Sequence, residues 1–334
     1  MTVRSTRSRS IPILDAHYDG LIFREVRGDA LDLVPAAPLY HADLPRFRRG
    51  GYAVIMAMVG DSDLRQSSRL INSVHAMCAA HPNRVALCLT RADVERVVRQ
   101  GLFGVVMTIE GQAMFAEDTD HLRNWVRLGV RLASLTHGEG RFVPANPHAL
   151  QYDPSTFGYL TPEERTLLRR QTRGLTPFAF RALDVMAEYR IPCDVAHTNE
   201  AAYWEVLERA RGPVCYTHGA CYALCPHSRC LTDEMMKALA ARGGVMGIAF
   251  YPAFIARENP TLDALVEHFL HALEIMGPDH VGLGTDYDGM NPTTRPLLDC
   301  EDTPRLWAAL ARKGVSRSVI GKIAWRNFAR LLPK

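Results

Sequence analysis

Apolar residues in this chain of 334 residues fall into eight short runs, each about as long as a β-strand. The stretches between the runs are longer, and many of them repeat apolar residues with helical spacing. The eight runs lie at residues 11–14, 52–59, 103–110, 130–137, 191–197, 213–218, 244–250 and 280–286. The pattern therefore predicts strands that alternate with helices.

An alternation of this kind is typical of a parallel (β/α)₈ barrel, also called a TIM barrel. The length agrees, because such barrels form one domain of ~250 residues before insertions. We expect a single barrel domain over residues 1–334, with residues 1–10 as a flexible polar tail. A doubly wound sheet is the alternative fold.

The intervening stretches predict the helices and loops. Residues 21–40 contain prolines and predict a loop, which a short basic segment at 43–50 follows. Residues 138–160 are rich in Gly, Pro and Asn and predict a long loop that covers a site. A helical piece is expected before residue 177, and the other helices are predicted at 63–80, 92–100, 118–128, 177–189, 200–211, 232–242, 262–276, 304–313 and 318–332.

The predicted strands end in residues that bind metals or transfer protons. His17 and Asp19 are two positions apart, so an extended strand points both side chains to the same face. All strands of a parallel barrel end at one mouth, where these side chains would meet. A doubly wound sheet would instead spread them along an edge. The other strand-end candidates are Glu110, His137, His197, His218 and Asp286.

This set is larger than one zinc ion needs, since a catalytic zinc takes about three protein ligands. It therefore predicts two metals ~3.5 to 4 Å apart, which requires a bridging ligand. The Glu110 carboxylate has two oxygens and is the natural candidate. A water held by the metals would attack a carbonyl. Asp286 could either bind a metal or carry a proton from the nucleophile to a leaving amine.

Several motifs resemble those of the renal (membrane) dipeptidase family of metallopeptidases. They are DAHYDG, IEG, LTH, DVAHTN, YTH, GLGTDYDG and the Arg-containing segment SRCLTDEMMKALAARGGVMGI. Their order and spacing agree over nearly the whole chain. The resemblance implies a (β/α)₈ barrel that forms a homodimer, binds two Zn²⁺ ions per chain and hydrolyses dipeptides, often with a D-residue at the carboxyl side.

The resemblance also implies roles for single residues. His17, Asp19 and Glu110 would hold one zinc ion, and Glu110 would hold the other together with His197 and His218.

Four further residues match family positions near the substrate. The resemblance implies that His137 polarises the scissile carbonyl, Asp286 shuttles protons and Arg229 takes the terminal carboxylate. Tyr251 resembles a family tyrosine near the carboxylate pocket. The sequence departs from the family at Cys230, which replaces the usual Asn, and at the Gly138-Glu139-Gly140 loop start; both departures bear on side-chain preference.

Two other functions stay open. Another amidohydrolase-like barrel could act on a lactam, a lactone or a phosphoester with the same metals. A lysine at a strand end, available for carbamylation, would favour that reading, and none ends the eight predicted strands. A non-catalytic binding barrel would be favoured by a missing ligand, and all expected ligands are present.

Composition excludes several classes of partner. The formal net charge of +3 is small and the basic residues are scattered, so we expect no nucleic-acid partner. No apolar stretch of ~20 residues occurs, so we expect neither a signal peptide nor a membrane span. The eight cysteines lie mostly in apolar strands, as reduced thiols of a cytoplasmic protein do. The sequence thus predicts a cytoplasmic enzyme with a dipeptide substrate.

Overall fold

The structure is a computed structural model that describes residues 11–61, 63–111, 115, 118–137, 159–171, 173–290 and 297–334. The predicted tail at 1–10 and most of the predicted loop at 138–160 lie outside these residues. The Gly138-Glu139-Gly140 departure lies outside them as well.

Ten parallel strands make up the described sheet. Eight of them follow one another as β1-β2-β4-β5-β6-β7-β9-β10, while β3 pairs with β4 and β8 pairs with β7 beside this path. The strands are β1 (Ile13–Tyr18), β2 (Tyr52–Met58), β3 (Val85–Leu87), β4 (Phe103–Ile109), β5 (Val130–Ser134), β6 (Cys193–Asp194), β7 (Val214–Cys221), β8 (Cys230–Leu231), β9 (Val245–Ile248) and β10 (Val281–Leu283).

The last strand returns to the first and closes the barrel. The amide of Asp286 donates to the His17 carbonyl at 3.2 Å, and the amide of Asp19 donates to the Tyr287 carbonyl at 3.1 Å. Tyr18 and Tyr287 also form a parallel bridge. The predicted (β/α)₈ barrel is confirmed, and all eight predicted strands are present. β3 and β8 were not predicted, because strands of three and two residues are too short to show an apolar pattern.

Helices connect the strands on the outside of the barrel. The predicted helices are found with bounds shifted by at most two residues, except near the C-terminus. The helices of the described residues, predicted or not, are α1 (Gly20–Arg27), α2 (Leu44–Gly50), α3 (Leu64–Ala80), α4 (Arg91–Gln100), α5 (Thr119–Leu128), α6 (Pro162–Gln171), α7 (Pro177–Tyr189), α8 (Glu200–Arg209), α9 (Asp233–Ala241), α10 (Pro252–Ile255), α11 (Leu262–Met276), α12 (Thr303–Arg312), α13 (Arg317–Gly321) and α14 (Asn327–Ala329).

Helix α1 replaces part of the loop predicted at residues 21–40, so that prediction was wrong. The helix has eight residues, begins at Gly20 and ends before Gly28, whose φ of 73° is the left-handed value that glycine tolerates. Glycine at both ends of so short a segment suggests a turn. Packing stabilises the helix instead, because Leu21 is fully buried.

The C-terminal segment closes one end of the barrel. The predicted helix at 318–332 is interrupted, since a π-helical turn at Lys322–Arg326 separates α13 from α14. The Asn327 side-chain amide donates to the carbonyl of Val281 at 2.8 Å, at the start of β10. Phe328 packs on Gly282, where a Cβ would lie only 2.4 Å from the ring. Apolar side chains fill this end of the barrel, so a functional site is expected at the opposite end, where the strands end.

Two further expectations concern the whole chain. None of the described helices is long and apolar enough to cross a lipid bilayer. All eight cysteines are free thiols, as expected from their positions.

Candidate active site

A cavity of about 420 Å³ opens at the carboxyl ends of the strands. Its lining brings together every site residue that the sequence predicts: His17, Asp19, Glu110, His137, His197, His218, Arg229, Tyr251 and Asp286. Convergence at the mouth is what the barrel topology requires, because these residues end or follow β1, β4, β5, β6, β7, β9 and β10 or lie in the loop that leads to β8.

The first group of possible metal ligands joins β1 to β4. The His17 Nε2 atom lies 3.4 Å from an Asp19 carboxylate oxygen and 3.6 Å from Oε2 of Glu110. His17 and Glu110 are buried, and Asp19 is largely so. One ligand atom from each could contact the same ion.

The second group lies on β4, β7 and the turn after β6. Oε1 of Glu110 is 3.1 Å from Nε2 of His197 and 3.6 Å from Nε2 of His218. The two Nε2 atoms are 3.0 Å apart. These three buried atoms form a compact triangle that a single ion could fill.

Glu110 thus turns one carboxylate oxygen to each group. An ion with tetrahedral bonds of ~2.0 to 2.2 Å would hold its donor atoms ~3.3 to 3.6 Å apart, which is close to the observed spacing. Oε1 of Glu110 and Oδ1 of Asp19 are also buried and have no hydrogen-bond partner among the described residues. The residues present therefore fit two divalent cations with Glu110 between them.

Asp286 lies next to both groups. Its Oδ1 atom is 3.9 Å from Nε2 of His17, and these two residues form a third possible ligand set with His218. Both roles considered from the sequence, metal binding and proton transfer, are compatible with this position.

Two buried Thr–Asp pairs support the strand ends. The Thr217 hydroxyl donates to Asp194 and lies 2.8 Å from Nδ1 of His218, so it accepts the proton of that ring nitrogen. His218 then offers the lone pair of Nε2 to the site. Thr285 makes the equivalent bonds to Asp15 with its amide, at 2.8 Å, and with its hydroxyl. These pairs tie β6 to β7 and β10 to β1.

The histidines differ in charge. Burial holds the pKa of His197 and of His218 well below the usual range, so both rings are neutral, as metal ligands must be. Burial also acts to lower the pKa of His17, but the Asp19 and Glu110 carboxylates outweigh it and raise that pKa well above its usual value.

Two of the site's carboxyl groups have raised pKa values. Burial raises the pKa of Glu110 to about 6. Burial and then repulsion from Asp19 raise the pKa of Asp286 well above its usual value. A cation bound between these groups would favour their ionised forms, which is a second reason why the site suits metals.

The backbone is unusual where two of these side chains leave their strands. His197 and Asp286 have φ values of 61° and 65°, in the left-handed region that side chains seldom adopt. Close to them, a Cβ on Gly289 would lie 2.0 Å from an Asp19 oxygen and 2.6 Å from Oδ1 of Asp286. Only glycine leaves room there for the two carboxylates.

Asp61 was missed by the sequence analysis. It lines the cavity beyond the end of β2, and its Oδ1 atom accepts a hydrogen bond of 2.6 Å from Nδ1 of His137. Although burial opposes protonation, Glu110 and this contact raise the pKa of His137 to about 9. The signal was present, because Asp61 follows a buried strand as Glu110 and Asp286 do.

Arg229 lies inside the site and not in solvent. It is 5% exposed, and its guanidinium donates to Nδ1 of His197 at 2.9 Å and to the His218 carbonyl at 3.3 Å. Its Nε atom is buried and has no hydrogen-bond partner in the described part of the chain. Tyr251 lines the same cavity. Burial raises the pKa of its hydroxyl, and the nearby Asp286 carboxylate raises it further.

Comparison with known proteins decides the family. The model of the membrane dipeptidase family, peptidase family M19, matches residues 5–334. The chain belongs to this family. It is therefore a metallopeptidase of the dipeptidase class, as the sequence motifs predict.

Relatives of this membrane dipeptidase family member cover most of its length. An uncharacterised protein encoded in the pqqA 5′ region of Klebsiella pneumoniae is 31% identical over 77% of this chain and 91% of its own. Dipeptidase ataJ of Aspergillus terreus is 29% identical over 96% of this chain and 84% of its own. Among solved structures, a metallopeptidase of Rhodobacter sphaeroides bound to a phosphinate mimic of L-Ala-D-Ala superposes with a TM-score of 0.82, 22% identity and coverage of 97% of this chain and 99% of that one. The last similarity supports the barrel fold.

Proposed function

We propose that this chain is a binuclear zinc dipeptidase that hydrolyses the peptide bond of dipeptides with a free terminal carboxylate, including dipeptides with a D-residue at that end. His17, Asp19 and Glu110 would hold one ion, and Glu110 would share the second with His197 and His218. When bound, the ions would supply Lewis-acid polarisation of the carbonyl and activation of the attacking water.

The position of Arg229 carries the proposal of a dipeptide substrate. Its guanidinium lies 2.9 Å from the ring of a proposed metal ligand, His197. A carboxylate bound by Arg229 would then lie about one residue, ~3.8 Å between Cα atoms, from a carbonyl at the metal site. The substrate would have room for one residue after the scissile bond.

The contact between Arg229 and His197 affects whether Arg229 is free to bind a substrate carboxylate. An arginine can only donate, so Nδ1 of His197 is the acceptor. An imidazole that binds a metal through Nε2 carries its proton on Nδ1 and cannot accept there. Metal binding by His197 would therefore release the guanidinium for a substrate carboxylate, which it can bind through two parallel hydrogen bonds.

Two other side chains would act on the reacting groups. His137, held protonated by Asp61, can donate from Nε2 to the carbonyl oxygen as negative charge develops on it. Asp286 would accept a proton from the attacking water and deliver it to the leaving amine.

A panel of dipeptides tests the proposal. The zinc-loaded chain should hydrolyse L,L- and L,D-dipeptides, and an L-Ala-D-Ala substrate is a suitable member because the Rhodobacter sphaeroides structure holds a mimic of it. Hydrolysis of a lactam, lactone or phosphoester without dipeptidase activity would favour the wider amidohydrolase reading. Binding of dipeptides without turnover would favour a non-catalytic barrel.

Three further expectations remain predictions that accompany this proposal. They are a single barrel domain, a homodimer and a cytoplasmic location. Sedimentation analysis of the purified chain would measure its oligomeric state.

A further inference from the structure

Helix α1 carries an apolar stripe into the cavity. Ile22, Phe23 and Val26 follow Asp19 by three, four and seven positions, so all three lie on the helix face that continues from that carboxylate. All three line the cavity. The stripe therefore extends outward from one of the proposed metal ligands.

This part of the cavity is apolar and partly open. Phe23 is 40% exposed and Val26 is 71% exposed. Removing large apolar side chains such as these from water is favourable, so a ligand that covers them would be stabilised. The buried side chains of Met58 and Met290 line the same cavity, and methionine adapts its shape to a bound group. The surface is thus suited to an apolar side chain of a ligand.

The charges nearby disfavour an acidic ligand side chain. Asp19 begins the stripe and Asp288 also lines the cavity. The guanidinium carbon of Arg27 lies 5.9 Å from the Phe23 ring, but Arg27 already forms an ion pair with Asp29 at 3.2 Å. Arg24, the other arginine of α1, is buried against the Tyr40 ring and is not among the lining residues. An acidic side chain would therefore meet carboxylates here and a cation that is already paired.

The direction of a bound dipeptide follows from the proposed function, on which this inference rests. Arg229 would fix the terminal carboxylate on the side of His197 and His218. The first residue of the substrate would then lie on the other side of the scissile carbonyl, toward Asp19 and α1. Its side chain would contact the stripe.

We propose that the first residue of a preferred dipeptide has a large apolar side chain, of the leucine or phenylalanine class, which binds against Ile22, Phe23 and Val26. In an enclosed hydrophobic pocket one added methylene changes kcat/KM by about tenfold or more. The stripe is partly open to solvent, so the expected preference for leucine over alanine is roughly ten- to a hundredfold in kcat/KM.

The zinc-loaded full-length chain should be assayed with Leu-Gly, Ala-Gly, Asp-Gly and Gly-Leu. The unmodified chain should prefer Leu-Gly to Ala-Gly by at least about tenfold, and should cleave Asp-Gly poorly. Phe23→Ser and Val26→Ser should each lower the Leu-Gly to Ala-Gly ratio several-fold. Leu128→Ser is the matched control, since Leu128 is 45% exposed on α5 and does not line the cavity. Its ratio should equal that of the unmodified chain.

The outcomes separate this inference from the proposed function. Equal rates for Leu-Gly and Ala-Gly, a ratio that Phe23→Ser and Val26→Ser leave unchanged, or a preference seen with Gly-Leu instead of Leu-Gly would each overturn the inference while dipeptidase activity stands. A zinc-loaded chain that cleaves none of the dipeptides would overturn the proposed function and this inference together.

Discussion

Nδ1 of His137 donates a hydrogen bond of 2.6 Å to Oδ1 of Asp61, and this contact joins the ends of β5 and β2 across the cavity wall. Burial opposes protonation, but Glu110 and then Asp61 favour the protonated ring and raise its pKa to about 9, so His137 keeps its charge at neutral pH. A protonated ring donates from both nitrogens, which suits a role in stabilising an oxyanion.

Asp61→Asn should lower the pKa of His137 from its value of about 9 and shift the alkaline limb of the pH profile of kcat/KM to lower pH. Activity at neutral pH should fall by about tenfold, the order expected for loss of a hydrogen bond to a charged group. Asp63→Asn is the control, because Asp63 accepts from the Gln66 amide at the start of α3 and does not contact the ring. An alkaline limb that does not move would show that Asp61 has no effect on catalysis through His137.

Glu110→Ala should reduce the metal content more than Asp19→Ala does. Glu110 faces both ligand groups, whereas Asp19 belongs to one, so the expected contents after dialysis are below one and about one ion per chain. Elemental analysis measures both, against an expected two for the unmodified chain. Chelation should abolish hydrolysis and added zinc should restore it. Two ions retained by Glu110→Ala would exclude the bridging role.

Asp286→Asn should retain the metals and lose roughly 10²- to 10⁴-fold in kcat, because an amide cannot accept the proton. Asp288→Asn is a close control. Oδ1 of Asp288 accepts from the His41 amide at 2.6 Å, a structural contact that an amide oxygen can also make. Loss of one metal from Asp286→Asn would assign Asp286 to metal binding. Normal turnover with both metals would leave it no acid–base role.

Arg229→Met should lower kcat/KM for a good dipeptide by roughly ten- to a hundredfold, the loss expected for ~1.5 to 3 kcal/mol of hydrogen bonding to a charged group. Amidation of the substrate carboxylate should cost the unmodified enzyme a similar amount. The variant should cleave the amide little more slowly than the acid, because both changes remove one interaction. Additive losses would place the carboxylate contact elsewhere.

Acid should destabilise the fold through His268. This ring is buried, accepts from the Cys221 amide with Nδ1 and bonds to the Ile255 carbonyl with Nε2, and burial lowers its pKa from 6.5 to about 4. Between these values the unfolded chain binds a proton that the folded chain does not, so stability falls as pH falls through this window. At pH 5 the loss is about 2 kcal/mol relative to pH 7.

Chemical denaturation at pH 7 and pH 5 measures this contribution of His268. The variant His268→Gln should lose less stability between the two pH values than the unmodified chain, whatever its stability at pH 7. His75, an exposed histidine on α3, supplies the control His75→Gln, which should keep the full loss. An equal loss in all three proteins would contradict the prediction.

The strand ends were predictable because one physical rule places them. Apolar runs buried on both faces indicate parallel strands, and parallel strands of a barrel end at the same mouth. His17, Glu110 and Asp286 could therefore be grouped without knowing any distance. Glu110 was predicted to bridge two metals because it has two oxygens, and that role stays a prediction; its Oε2 lies 3.6 Å from Nε2 of His17 and its Oε1 lies 3.1 Å from Nε2 of His197.

Other features depend on packing and could not be predicted from the pattern. Asp15 and Thr285 are 270 positions apart and meet only when the barrel closes. The contact of Asp61 with His137 joins residues 76 positions apart, and only the folded chain shows it. Helix α1 begins at Gly20, has only eight residues and is followed by Gly28, so its apolar stripe does not show a helical period long enough to recognise.

The left-handed backbone at His197 and Asp286 sets the proposed roles of these residues in catalysis against thermal resistance. Non-glycine residues in this conformation cost about 1 to 3 kcal/mol each, and glycine removes most of that cost. Asp286→Gly would also relieve the repulsion among buried carboxylates in the metal-free chain. Variants recovered by screening for heat tolerance alone should therefore accumulate glycine at these two positions and lose activity, so a directed-evolution campaign on this scaffold needs an activity screen at every round.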